Sequence, residues 1–378
     1  MRRERSRPRE GWAETIESQG LSYHRTAHPE NLTRPYWDES VHYVLEMGEV
    51  LSLEEDVETL HRMCLEAAEH VVKTGRYELL GIDERFAPAI EASWRRGDPH
   101  LYGRFDLRHD GTGPAKLLEY NADTPTSLVE SSIIQWFWKE DVFPADDQWN
   151  SLHERLIDRW REMPLRSGPV HFAWTELDES GEELMTIAYL QETAAQAGRQ
   201  GVPLAMQDIG WDGEYYRDLA DAEIRTFCKL YPWEWIVAEP FGAHVDEADW
   251  VEPMWKMLLS NKGILALLWE LFPGHPNLLP AYLDGPRDLA SHIRKPLLGR
   301  EGASMTVTSP SYRTETGGSY GAEGFVFQEF VPLPDFDGQH PVLGAWMVAD
   351  EAAGLGIRET SGLITDDTSS FIPHRIPL

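Results

Sequence analysis

Between Tyr102 and Asp123 the chain carries Arg104 and Asp106, then Glu119 and Asn121, each pair spaced by two on either side of an Asp110-Gly111 turn. Residues two apart in extended chain point to one side, so the spacing predicts two short strands sharing a polar face. With a loop from His109 to Lys116, Asp106 falls opposite Glu119 and Arg104 opposite Asn121. Directly opposed carboxylates repel unless a cation lies between them. An oxygen-only set of this kind suits Mg²⁺, which takes one or two carboxylates together with substrate phosphates. A solvated hairpin with ordinary surface charges would use the same residue types. Phe105, Leu107, Leu118 and Tyr120 weigh against that reading, because alternation puts them together on the other face and leaves one face for chemistry.

Further along, Arg294 to Ser304 reads as a strand feeding a loop with Gly299 and Gly302. Both glycines permit the positive φ that lets backbone N–H groups approach phosphate closely. Lys295 would add a point charge there. The spacing is not that of a Walker A loop. Lys262, in Ser260-Asn-Lys-Gly263, is a second candidate cation or else a lysine on an exposed turn. Gln328 to Pro334, with Glu329 and Val331, reads as a strand ending at proline where backbone groups meet an adenine. Arg358 is placed to reach a transferring phosphoryl group, with a surface salt bridge to Glu359 as the alternative. The polar turn Asp123 to Ser127, including Thr124 and Thr126, either caps the next helix or gathers around an anion.

These groups need a frame. Ser52 to Lys73 is predicted helical, with a Ser52/Glu55 capping box, an apolar stripe from Val57 to Val71 and Gly75 as its stop. Leu128 to Lys139 reads as another helix. Val170–Trp174 and Val202–Gln207 read as strands around the helix Glu183 to Ala197, a strand–helix–strand unit that implies parallel pairing. Trp235–Ala238 is expected as a short strand, and Glu252 to Phe272 as a helix interrupted at Ser260 to Gly263. From Ile293 onward short strands dominate, with Ser309 to Gly324 as a mobile loop.

The chain of 378 residues holds 34 basic and 64 acidic residues, a net charge of −30, which disfavours nucleic acid and anionic lipid as partners. Lysine is scarce, seven against 27 arginines, so a lysine in a glycine-bearing loop stands out. Cys64 and Cys228 lie far apart in no metal spacing and fit buried positions in a reducing cytoplasm. No apolar run reaches membrane-spanning length, and the basic N-terminus has no hydrophobic segment behind it, so residues 1–20 are expected to be a mobile arm.

Together, Arg104-Phe-Asp106, Leu118-Glu-Tyr-Asn-Ala-Asp123, Ser260-Asn-Lys-Gly263, Arg294-Lys-Pro with Gly299-Arg-Glu-Gly302, Gln328 to Pro334, Gly354 to Glu359, Leu363-Ile-Thr and Phe371-Ile-Pro-His374 resemble the synthetase portion of the glutathionylspermidine synthase family. The resemblance covers nearly the whole chain beyond the N-terminal arm. It implies an α/β (α+β) class with an ATP-grasp-like fold and a preceding pre-ATP-grasp lobe, residues 21–378 forming one catalytic unit with mobile lid loops at about 295–325. It also implies a cytoplasmic ligase that uses ATP and Mg²⁺ to activate an acid as its acyl phosphate for attack by an amine. Carried over by position, Asp106, Glu119 and Asn121 would hold the metal, and Arg104 would meet the acid. Lys262, Lys295, Gly299, Gly302 and the Gln328 to Val331 strand would hold ATP, and Arg358 would stabilise the phosphoryl group. Thr124, Thr126, Glu182, Glu183 and Asp366 would lie near the substrates, a small-molecule or short-peptide acid and an amine of the polyamine type. The amidase of two-domain members, with its catalytic cysteine, has no counterpart, so hydrolysis of the conjugate is not expected. A non-catalytic ATP-binding protein of the same fold, or a small-molecule kinase, would use many of the same residues.

Overall fold

The Asp110-Gly111 turn joins two antiparallel strands, Tyr102–Arg108 and Lys116–Asn121, in a computed structural model that describes residues 1–25, 34–176, 180–366 and 369–378. They form one side of a five-stranded antiparallel sheet completed by His340–Val348, Glu351–Thr360 and Ser370–Ile372. Phe105, Leu107, Leu343, Ala345, Leu355 and Ile357 share the main core with the stripe Val57, Leu60, Cys64, Ala67, Ala68 and Val71 of the long helix Met47–Thr74. Each fully buried large aliphatic contributes about 1.5–3 kcal/mol. This packing fixes which face of the sheet is left for the cleft.

One detail of the hairpin departs from strict alternation. A β-bulge after Asp106 shifts the register so that Leu107 faces Leu117. Leu117 is therefore the core residue, while Leu118, expected there, lines the cleft. An inserted residue of this kind leaves no mark in a period-two pattern.

A second five-stranded antiparallel sheet runs in the order Ala281–Tyr282, Phe325–Glu329, His292–Pro296, Thr306–Thr308, Arg313–Glu315. A four-stranded parallel sheet, Asp249–Val251, Thr226–Leu230, Val170–Trp174, Gly201–Ala205, carries the helix Glu182–Gln196 as the expected crossover. The mixture of helices with parallel and antiparallel sheets is that of the expected α/β (α+β) class.

Several local expectations are corrected. The long helix starts at Met47, where the Glu49 carboxylate accepts the Glu46 N–H at 3.4 Å, and the Ser52 hydroxyl bonds back to Gly48 O inside the helix. Gly75, at φ 69°, does end it. The expected helix from Leu128 to Lys139 is present, with a π-helical segment, Glu130–Ile134, inside it ahead of Gln135–Val142. Trp233–Ile236 is a helical turn, not a strand, because Pro232 precedes it and the Asp123 carboxylate accepts the Trp233 N–H at 2.9 Å. The Ser309 to Gly324 stretch contains the paired strand Arg313–Glu315.

The basic N-terminus is not a free arm. Arg2–Arg5 pairs with Val41–Val44 in a three-stranded sheet that also holds His374–Arg375. The Met1 ammonium group lies 2.6 Å from Glu49, and Trp12–Ser18 is helical. Arg3 pairs with buried Glu359 and Arg9 with buried Glu39. The partner of Arg3 is 356 residues away in sequence, beyond the reach of a local reading. Cys64 and Cys228 are free and buried. Among the described residues no helix is long and apolar enough to cross a membrane.

Candidate active site

A cleft of about 480 Å³ opens between the two five-stranded sheets, within the range of small-molecule sites. Arg104, Asp106, Glu119 and Asn121 line it on the first sheet, with Arg104 opposite Asn121 and Asp106 opposite Glu119 as the spacing requires. Asp106 accepts from Arg104 Nε at 2.7 Å and Nη2 at 3.2 Å. Arg358 reaches it from two strands away, its Nη2 donating at 2.7 Å to Oδ2, the oxygen that also accepts from Arg104 Nη2. Gly344, paired with Asp106, makes this approach possible, since a Cβ there would meet Arg104 Cδ at 3.0 Å. Arg104 is further fixed by the Thr126 carbonyl at 2.6 Å and by the Trp346 ring, 5.7 Å from its guanidinium carbon.

Glu119 is held differently. Lys262 Nζ lies 3.0 Å from its carboxylate and 2.7 Å from Gly299 O, so this lysine is buried in the cleft wall and not on an exposed turn. Burial would raise the Glu119 carboxyl, but the Lys262 and Lys295 ammonium groups outweigh it and hold it well below the usual carboxylate range. Lys295 donates to Leu118 O and to Gln328 Oε1, both at 2.8 Å, while the Gln328 amide donates to Leu117 O at 2.9 Å. Both carbonyls belong to the bulged segment of the hairpin. Burial pushes the Lys295 ammonium down to about 8, against the pull of Glu119.

The glycine loop is partly as expected. Gly302 has φ 69° and approaches Thr365 so closely that a Cβ would meet its carbonyl oxygen at 2.7 Å. Gly299 is not at positive φ; its small size is needed because a Cβ would meet the Pro296 ring at 2.4 Å. Glu329 and Val331 line the cleft, with the Glu329 N–H bonded to Pro280 O. Thr124, Thr126, Glu182 and Glu183 line its other end. Asp366 is not among the lining residues, although Leu363, Ile364 and Thr365 are. Glu359 turns away from Arg358 to the other side of the sheet, where Arg3, Arg34 and Tyr43 bond to it.

Sequence reasoning missed two charged lining residues, Arg300 and Glu234. Arg300 donates to the Thr124 hydroxyl at 3.1 Å and lies over the Trp235 ring at 5.3 Å. Glu234 sits 3.8 Å from Arg300, and burial raises its carboxyl despite that charge. Arg300 stood inside the quoted Gly-Arg-Glu-Gly motif, which was the available signal. Asp123, in contrast, is structural. It is buried against Lys229 at 2.5 Å and anchors Trp233.

A family model described as glutathionylspermidine synthase preATP-grasp matches residues 3–377. The chain belongs to this family. It is 41% identical over 356 residues to a Haemophilus influenzae protein named as an acid–amine ligase, covering 90% of both chains. It is 30% identical to trypanothione synthetase of Crithidia fasciculata and 25% identical to the bifunctional glutathionylspermidine synthetase/amidase of Escherichia coli. In those two cases it spans about half the relative, 54% and 56% of their lengths. A solved glutathione synthetase-like effector from Globodera pallida, in its apo form, has a TM-score of 0.54 at 10% identity, covering 96% of this chain and 97% of that one, which shows the fold alone. Family membership makes the chain a C–N ligase that forms amide bonds.

Proposed function

We propose that the protein is an ATP- and Mg²⁺-dependent carboxylate–amine ligase that works through an acyl phosphate. One observation carries this reading. Asp106 and Glu119 stand side by side; Arg104 on the same strand and Arg358 from a distant one converge on the first, and Lys262 from another distant segment on the second.

The donor set fits magnesium nucleotide. Asp106, Glu119 and Asn121 offer hard oxygen atoms at adjoining register positions, and the flanking lysines supply charge for phosphate oxygens. Magnesium, when bound, would neutralise phosphate oxygens of the nucleotide. Lys262 and Lys295 hold those phosphates as point charges. Arg104 orients the acid, and Arg358 offsets the charge that grows on the transferred phosphoryl group, an interaction strongest in the transition state. An oxygen of the acid displaces ADP from the terminal phosphorus. The amine nitrogen then bonds to the activated carbonyl carbon, the bond to the phosphate oxygen breaks, and the amine gives up a proton. Positioning and charge do the catalysis, so no side-chain nucleophile is required.

Glu182, Glu183 and Glu234 put carboxyl groups on the cleft lining, which suits a cationic amine. With the relatives' names, this supports a short-peptide acid and a polyamine as substrates. The N-terminal strand Arg2–Arg5 belongs to the same catalytic unit as the rest of the chain, and the glycine-bearing loops near 295–325 act as its lid. The enzyme works in the cytoplasm, in keeping with its free buried cysteines.

The test uses ¹⁸O-labelled acid, drawn from glutathione and other short peptides, with ATP, Mg²⁺ and a polyamine. Amide product, ADP and one ¹⁸O atom in the released phosphate are expected. Phosphorylated substrate without amide, or ADP release from no acid–amine pair, would overturn the proposal.

A further inference from the structure

Across the sheet from the cleft, three potential ligands meet at the turn joining His340–Val348 to Glu351–Thr360. His61 Nε2 lies 2.9 Å from Asp350 Oδ1 and His100 Nε2 lies 3.3 Å from the same oxygen. All three donor atoms fall within 4.8 Å of one another. We propose that His61, His100 and Asp350 form a second metal site, separate from the cleft, for a borderline divalent ion of the zinc or cobalt class.

Ligand chemistry sets the class. Two imidazole nitrogens and one carboxylate oxygen suit zinc-like ions better than magnesium, which favours oxygen alone. Ligands bonded about 2.0 Å from zinc in a tetrahedron lie roughly 3.3 Å apart. The nitrogen–oxygen separations of 2.9 and 3.3 Å lie close to that value, and the two nitrogens are within 4.8 Å of each other. The rings are stacked, with centroids 5.8 Å apart and planes 23° from parallel, so both present their Nε2 atoms to one point. Both histidines are buried, whereas the Asp350 side chain is 68% exposed. A metal would therefore enter from solvent and keep a position open to water.

The surroundings support ligation. His61 Nδ1 faces the Tyr120 hydroxyl at 3.4 Å, the kind of outer contact that orients a ligating ring. The nearby Lys256 charge is matched by Glu252 at 2.6 Å. The Ala349 N–H bonds to Leu101 O at 2.8 Å, tying the turn to the segment that carries His100. The trio thus joins the long helix, the approach to the first hairpin strand and the turn between two central strands. Tyr120 lies between Glu119 and Asn121 in sequence, so the ion would brace the back of the strand that holds them. The same trio could instead be a hydrogen-bonded staple, both rings donating to Asp350, and metal binding separates the two.

The whole protein is stripped with a chelator and titrated with Co²⁺ in excess Mg²⁺, following the visible bands of imidazole-bound cobalt. One equivalent showing those bands is expected, kept in Glu119→Gln and weakened at least about tenfold in Asp350→Ala and His100→Gln. Zn²⁺ should displace the cobalt and raise the Tm of the unmodified protein but not of Asp350→Ala. Asp350 is exposed, so its variant tests the site even where a histidine variant fails to fold. Absence of the bands, their survival unchanged in Asp350→Ala, or their loss in Glu119→Gln would overturn the proposal.

Discussion

The two sheets that face each other across the cleft are built in opposite ways. The first keeps its ionic groups on strands that are packed on a large apolar core, with Arg104 and Asp106 buried and glycine at 344 to clear their path. The second ends in an exposed edge strand, Arg313–Glu315, and its Lys295 and Gln328 lean on carbonyls of the first sheet. Rigid, paired groups suit charge that develops during reaction, while the second sheet's lysine and glycine loop suit the holding of a ground-state ligand. The comparison therefore assigns rate to one wall and nucleotide affinity to the other.

The largest effect should come from the first wall. Glu119→Gln is expected to lower kcat by at least about 10³-fold, at the upper end of what losing one charge-stabilising group does, with circular dichroism and Tm near those of the parent. An active variant would remove Glu119 from the chemistry. Arg358→Ala should reduce kcat about 10²–10³-fold while changing KM for ATP by no more than about threefold. Equal losses in both would assign Arg358 to ground-state binding. On the second wall, Lys295→Ala should raise KM for ATP roughly 10–100-fold, the worth of a charged hydrogen bond, with a smaller change in kcat. A kcat loss as deep as that of Arg358→Ala would break the division between the sheets.

The smallest effect lies outside the cleft. His374 is buried, and burial lowers its imidazole to about 3 from an ordinary 6.5. The unfolded chain therefore takes up a proton below about pH 6.5 that the folded chain refuses, so stability is full above that pH and falls as pH drops toward 3. The slope from this group approaches about 1.4 kcal/mol per pH unit. In denaturant melts between pH 7 and 4, His374→Gln should flatten the decline, and an unchanged slope would show that other groups set it.

The legible part of this molecule was the short-range part. Register in the 102–121 hairpin, the stripe of the long helix, its Gly75 stop and the strand–helix–strand unit near 170–205 all follow from spacing within one or two elements. The errors share a cause as well. Trp235 looked like part of a strand because its capping partner, Asp123, lies 110 residues from Trp233. The N-terminal arginines looked free because Glu359 is a whole chain away. Leu118 was assigned to the core because alternation does not record a bulge.

The amino-acid order alone settled which side chains share a face, since the turn and the two-residue repeat of a strand are local geometry. It settled a candidate chemistry too, through acidic, amide and guanidinium groups at that repeat. Only the folded chain decided that Arg358, Lys262 and Lys295 close around that face, that Lys262 is buried, and that Asp366 stands outside the lining. Those outcomes depend on pairing strands and burying side chains hundreds of residues apart, where each contact is favourable only once the common core has formed.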